Sequence, residues 1–140
     1  NEVGLEESDA SEWLEVDFTK EKLKRFEDKF SKARGLLKSL EDTNNCISKH
    51  KRRITTDLYS LWAAIVFDEG IINADPERLA AKYNEFISGV YLAYEKVKND
   101  ESIEHLDPDV QVYFYNSTGA ATEVELRKKR SRALIAFLSK

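Results

Sequence analysis

The side chains in this chain best suited to chemistry are cations. In "LRKKRSRALIAFL", Leu126 to Leu138, five of them (Arg127, Lys128, Lys129, Arg130 and Arg132) stand beside an apolar stripe. Successive side chains on a helix fan about 100° apart, so these residues cover much of the surface opposite Leu126 and Leu134. Most of them fall in the first half of the expected helix, where the macrodipole favours acids, so the dipole does not account for the cluster. A second cluster, "KHKRR" from Lys49 to Arg53, comes just ahead of another expected helix. If Lys51, Arg52 and Arg53 share a face with Arg127, Lys128, Arg130 and Arg132, together they can contact several phosphates of a duplex in a salt-dependent way. The competing reading is two solvated charge runs.

Other chemistry is sparse. There is no Gly-rich phosphate loop, no His-Glu-x-x-His, no paired cysteines and no Gly-x-Ser-x-Gly, so no catalytic residue is assigned and the chain is expected not to be an enzyme. One thiol, Cys46, and two well-separated histidines, His50 and His105, make neither an internal disulfide nor a metal-ligand set, which points to a cytosolic protein without metal or cofactor. Cys46 beside Lys49 and His50 reads as a bystander thiol rather than an activated one. Asp68 and Glu69 at a helix end read as solvent-facing. Most aromatics fall at helical core spacing, but Tyr113, Phe114 and Tyr115 are adjacent and cannot all face one core. At least one of these rings is therefore expected on the surface, as a partner interface.

The elements that would position these groups are helices. From Thr19, an expected N-cap, Leu23, Phe26, Phe30, Ala33, Leu37 and Leu40 recur at steps of three and four, with Gly35 the weak point of the helix. Leu58, Leu61, Trp62, Ile65 and Val66 give a second stripe that Gly70 would end as a C-cap. Asp75 and Pro76 read as N-cap and first turn of a long helix with Leu79, Tyr83, Phe86, Val90, Ala93 and Val97 inward, ending near Asn99, and Gly89 costing it propensity. Asp107 and Pro108 repeat that start for a short helix, although Val110, Val112 and the aromatic run also suit a strand. Thr122 and Glu125 form a Thr-x-x-Glu capping box for the last helix, whose inner face is Leu126, Ala133, Leu134, Phe137 and Leu138.

At 140 residues, 41% hydrophobic and 34% charged, the chain fits one globular domain, and its longest apolar run is too short to span a bilayer. Charge is uneven. Asn1 to Asp17 carries seven acids and no Lys or Arg, so that of the overall −4 the rest of the chain contributes +3. Residues 1–18 read as an acidic, partly ordered lead-in and 19–140 as a helical domain: an all-α, single-domain bundle of about five helices. With no methionine and a start at Asn1, the chain is expected to be a piece of a longer protein.

Taken in order, "KLKRFEDKFSKARGLLKSL", "KRRITTDLYSLWAAIV", "DPERLAAKYNEFI" and "VYFYNSTGAATEVELRKKRSRALIAFL" resemble the C-terminal helical part of a large prokaryotic family. Its members carry a ParB-like N-terminal domain related to the S subunit of GmrSD-type modification-dependent restriction enzymes. The resemblance runs over roughly Lys20 to Leu138 and lies in helical patterns: a charged helix with repeated Phe, a basic stretch leading into a Leu/Tyr-rich helix, and a Ser/Thr/Gly loop before an Arg/Lys-rich helix. The family's Asp-Gly-Gln-Gln-Arg type catalytic segment and an HNH-type nuclease motif have no counterpart here. The resemblance thus implies a non-catalytic helical module of a DNA-directed defence protein, whose basic face meets duplex DNA or docks the missing N-terminal domain. The alternative is a protein-interaction or dimerisation module built on the aromatic patch.

Overall fold

A computed structural model of the chain describes residues 20–118 and 123–140. These form a bundle of six α-helices with no strand among them: α1 (Lys20–Asn44), α2 (Ile54–Phe67), α3 (Glu69–Ile72), α4 (Pro76–Lys98), α5 (Pro108–Tyr115) and α6 (Val124–Leu138). The lead-in and the expected caps Thr19 and Thr122 lie outside the described residues.

Helix α4 is the axis of the bundle. Leu79, Ala80, Tyr83, Phe86, Ile87, Val90, Ala93 and Tyr94 are buried along it, and α1, α5 and α6 all pack on it, with α2 laid across α6. Phe86 is the hub, its ring meeting Tyr113 edge-on at 5.1 Å and Phe137 at 5.1 Å. Burying one such side chain is worth roughly 1.5–3 kcal/mol, so these rings tie α5 and α6 to α4.

Both Asp-Pro starts form as read. The Asp75 carboxylate accepts from the Arg78 amide at 3.0 Å, and Asp107 accepts from the Asp109 and Val110 amides at 2.8 and 3.4 Å. Proline in each first turn has no N–H to leave unpaired, so caps and prolines set both starts. Residues 108–115 are helix, because the Asp107 cap and the Val110 and Phe114 contacts outweigh strand propensity.

Three features depart from the expectation. Gly70 does not end α2. Asp68 does, and its side chain accepts from the Ile71 amide at 3.0 Å, starting the extra short helix α3. Helix α6 begins one residue later than a Thr122 cap would place it, with Glu123 as N-cap and no side-chain cap bond. Along α1 only Ala33, Leu36 and Leu40 are buried, whereas Leu23 and Phe26 keep 44% and 43% of their surface exposed. An apolar period shows which face is apolar, not how far along it the body reaches. Val97 and Leu58 are likewise exposed.

The glycines of the two long helices, Gly35 and Gly89, differ in surroundings. A β-carbon at Gly35 would meet nothing within 4 Å, whereas one at Gly89 would stand 3.3 Å from Val110, where α5 comes close to α4. Gly35→Ala should therefore stabilise the protein by about 1 kcal/mol, the full propensity difference. Gly89→Ala should gain clearly less or lose stability. Paired urea melts check this, and equal gains at both sites would contradict the tight α4–α5 approach.

Candidate polyanion-binding site

The segment between α1 and α2 carries the first basic cluster, and it is tied down by side chains. Asn45 turns the chain with a left-handed φ of 55°, a conformation asparagine tolerates better than most residues. The Glu41 carboxylate accepts from the Ile47 and Ser48 amides at 3.2 and 3.0 Å and from the Ser48 hydroxyl. Lys49 donates to the Asn84 side chain at 2.8 Å, and the His50 ring stacks on Tyr91 at 4.3 Å. Burial lowers the pKa of His50, and Lys49 lowers it further. The Arg53 amide donates to the Tyr91 hydroxyl at 3.0 Å. Lys51, Arg52 and Arg53 are thereby delivered to the start of α2 beside α4.

Beneath them lies a buried carboxylate that sequence reasoning did not single out. Asp57, in the first turn of α2, is 5% exposed. Its Oδ1 accepts from the Tyr113 hydroxyl at 2.8 Å and its Oδ2 from the Tyr91 hydroxyl at 2.9 Å. Desolvation raises its pKa, opposed by the Tyr113 and Tyr91 hydrogen bonds and by Arg130 and Arg53. One signal was available. Asp57 stands at i, i+4, i+7 with Leu61 and Ala64, so an acid occupies the core stripe.

Arg130, read as part of the DNA-contacting surface, is in fact 2% exposed and donates from Nη1 to the Asn116 carbonyl at 2.7 Å. Desolvation lowers its pKa, while Tyr113 and Asp57 favour the charged form. Position 130 lies inward because it shares a helical face with Leu134 and Arg127, and the Asn116 carbonyl receives the guanidinium there. Position 132 is about 200° around from 130, so Arg132 points outward, exposed like Lys129. Arg127 is half-buried, its guanidinium 5.8 Å from the centre of the Tyr59 ring on α2. Lys128 pairs loosely with Glu125 at 3.8 Å.

The expected basic face is therefore divided. Arg53 and Arg130 both act on the Asp57 charge, and Arg52 and Arg53 lie over the Tyr94 ring at 5.0 and 5.9 Å. Tyr94 and Arg127 in turn both act on Arg130. Tyr94 packs edge-on against Phe114 of α5, and Arg130 bonds the Asn116 carbonyl at the end of that helix. Arg52 and Arg53 from one side and Arg130, with Arg127 one turn before it, from the other thus line one seam between α2, α4 and α6. Arg132 and Lys129 do not join it, and Lys51 is exposed at its edge. Among the described residues no carboxylate lies within ion-pair distance of any of these four arginines.

Of the aromatic patch, one ring is exposed as expected, but the interface assigned to Tyr113 and Phe114 is not. Tyr113 is buried on Asp57 and Phe114 is buried edge-on against Tyr94 at 5.0 Å, leaving only Tyr115 exposed, at 59%. The three rings divide because α5 is sandwiched between α4 and α6. Burial pushes the Cys46 thiol up to about 11, where it is no nucleophile at neutral pH. Among the described residues no three metal-ligating side chains cluster, and no helix is long and apolar enough to cross a membrane.

Asp57 should control stability in two ways. Asp57→Ala leaves two buried tyrosine hydroxyls and the buried Arg130 without their acceptor or counter-charge, and should cost about 3–5 kcal/mol in denaturant unfolding. The pH dependence follows from the raised pKa. Between the ordinary aspartate value and the folded value, the folded state holds more protons than the unfolded state, so this group's contribution to stability falls as pH rises through that window. Asp57→Asn should remove that slope, and an unchanged slope in paired melts across acid pH would contradict the assignment.

No family model, curated protein or solved structure matches this chain, so the seam's own chemistry carries the functional reading.

Proposed function

We propose that this chain is a non-catalytic helical module that contacts duplex DNA through the arginine seam, as part of a larger DNA-directed defence protein of the kind its sequence resembles. The observation that carries the reading is the convergence of Arg52 and Arg53 with Arg127 and Arg130. Arg52 and Arg53 lie over the Tyr94 ring, Arg127 lies against Tyr59 and Arg130 is buried on the Asn116 carbonyl, and none of the four has a carboxylate in ion-pair distance among the described residues. Cations held together without neutralisation raise the local potential and bind polyanions by releasing counterions. Lys51, Arg52, Arg53 and Arg127 supply the contacts. Arg130 holds the seam from beneath, and Lys128 and Arg132 on the outer side of α6 add only long-range attraction. Burial of Tyr113 and Phe114 removes most of the surface that a partner interface at residues 113–115 would use.

The test is a fluorescence anisotropy titration of duplex DNA at several salt concentrations. Reversal of Lys51, Arg52 and Arg127 to Glu should abolish binding at moderate salt while leaving the circular dichroism spectrum intact. Neutralising each in turn should flatten the plot of log K against log salt by roughly 0.9 per lost phosphate contact. Reversal of Lys128, Lys129 and Arg132 should weaken binding far less. Equal losses from the two triples, or unchanged binding in the first, would overturn the assignment.

A further inference from the structure

The seam contains more unmet hydrogen-bonding capacity than a charged surface needs. Among the described residues the Arg130 Nε and the Tyr94 hydroxyl have no partner at ordinary hydrogen-bond distance, although Arg130 is 2% and Tyr94 8% exposed. The Nε of Arg127 is buried and has no partner among the described residues either. A buried polar group left unpaired costs about 1–3 kcal/mol, more for a charged one, so in native structures such groups are generally completed by water, an ion or a ligand. Asp57 does not complete them, since its two oxygens are taken by Tyr91 and Tyr113. The charge balance is also open, with four guanidiniums beside one buried carboxylate.

We infer that the seam between Tyr94, Arg127 and Arg130 is a seat for one phosphomonoester group, with Arg52 and Arg53 as its outer clamp. The assignment rests on the same seam as the proposed DNA contact and narrows what that seam takes. A backbone phosphodiester is flanked by two sugars and offers its free oxygens to cations at a surface. The unpaired donors here are buried, which suits them to a group that projects from the end of its molecule rather than to one flanked on both sides. A phosphomonoester carries about −1.5 to −2 at neutral pH and three acceptor oxygens, which match the guanidinium and phenol donors, and guanidinium suits such planar, multidentate recognition better than ammonium. The groups bordering the seat are long and adaptable. Arg52 is exposed over the Tyr94 ring and Arg127 is half-buried, so surface rotamer changes can open and close it on the ligand. The group can come from the 5′ end of a nucleic-acid strand or from a small phosphorylated molecule.

The experiment titrates the full chain with inorganic phosphate while following the arginine Nε–H and tyrosine ring resonances by NMR. Saturable shifts at Arg130, Arg127 and Tyr94 are expected. Tyr94→Phe, which deletes only the hydroxyl, and Arg127→Ala should each weaken binding by about tenfold, the worth of one charge-assisted hydrogen bond. Arg130→Lys keeps the charge but loses the Nε donor and the planar fork, and should abolish saturation. Should that variant fail to fold, Tyr94→Phe decides. Non-saturating shifts confined to exposed Lys51, Arg52 and Arg132 would overturn the seat.

A second arm compares a duplex bearing 5′-phosphates with the same duplex bearing 5′-hydroxyls. Tighter binding of the phosphorylated form locates the group at a strand end. Saturable phosphate binding without duplex binding retains the seat for a small phosphorylated molecule and sinks the DNA reading. Equal binding of both duplexes, with no saturable phosphate site, sinks the seat and leaves the DNA reading standing.

Discussion

The structure depends on a single buried carboxylate. Asp57 at the start of α2 takes one phenol from α4 and one from α5, while the buried Arg130 of α6 sits within its field. Four helices are thus registered against one another by groups that must be satisfied together. A buried carboxylate is costly unless hydrogen bonds and nearby opposite charge compensate it, and removing one of the groups so joined leaves the others unsatisfied. Such a cluster therefore acts mainly on geometry, fixing which turn of each helix faces which.

That geometry also explains why the cationic surface lies where it does. The Glu41 carboxylate and the His50–Tyr91 stack hold the connection before α2 against the bundle, so Arg52 and Arg53 emerge above the buried cluster instead of trailing in solvent. From the other side, packing of α6 on α4 turns Arg130 inward and leaves Arg127 at the rim. The same contacts that stabilise the core therefore gather like charges at its edge. Cations crowded in this way repel one another, which weakens the free protein slightly and favours an anionic partner.

Aromatic contacts do the equivalent task for the apolar half of the core. Phe86 joins Tyr113 and Phe137, and Tyr94 joins Phe114 and Tyr91. Tyrosine is used where one edge of the ring must face the polar cluster and phenylalanine where no such demand exists. Tyr91 shows the economy of this arrangement, since it stacks on His50, accepts from the Arg53 amide and donates to Asp57.

Much of the helical architecture was legible in the residues alone, because it follows from local physics. The apolar period of α4, the Asp-Pro starts at residues 75 and 107, and the inner face of α6 depend only on neighbours within a turn or two. What those neighbours could not decide was depth. Asp57 and Arg130 look like surface residues by type, and Leu23 and Phe26 look like core by type and spacing. Burial instead depends on which segments from far along the chain arrive opposite each position. The meeting of residues 52–53 with residues 127 and 130, like the division of Tyr113, Phe114 and Tyr115 between core and surface, required the bundle to close. A charge can be buried only when its partners are delivered by other helices, and no stretch of a single helix contains that information.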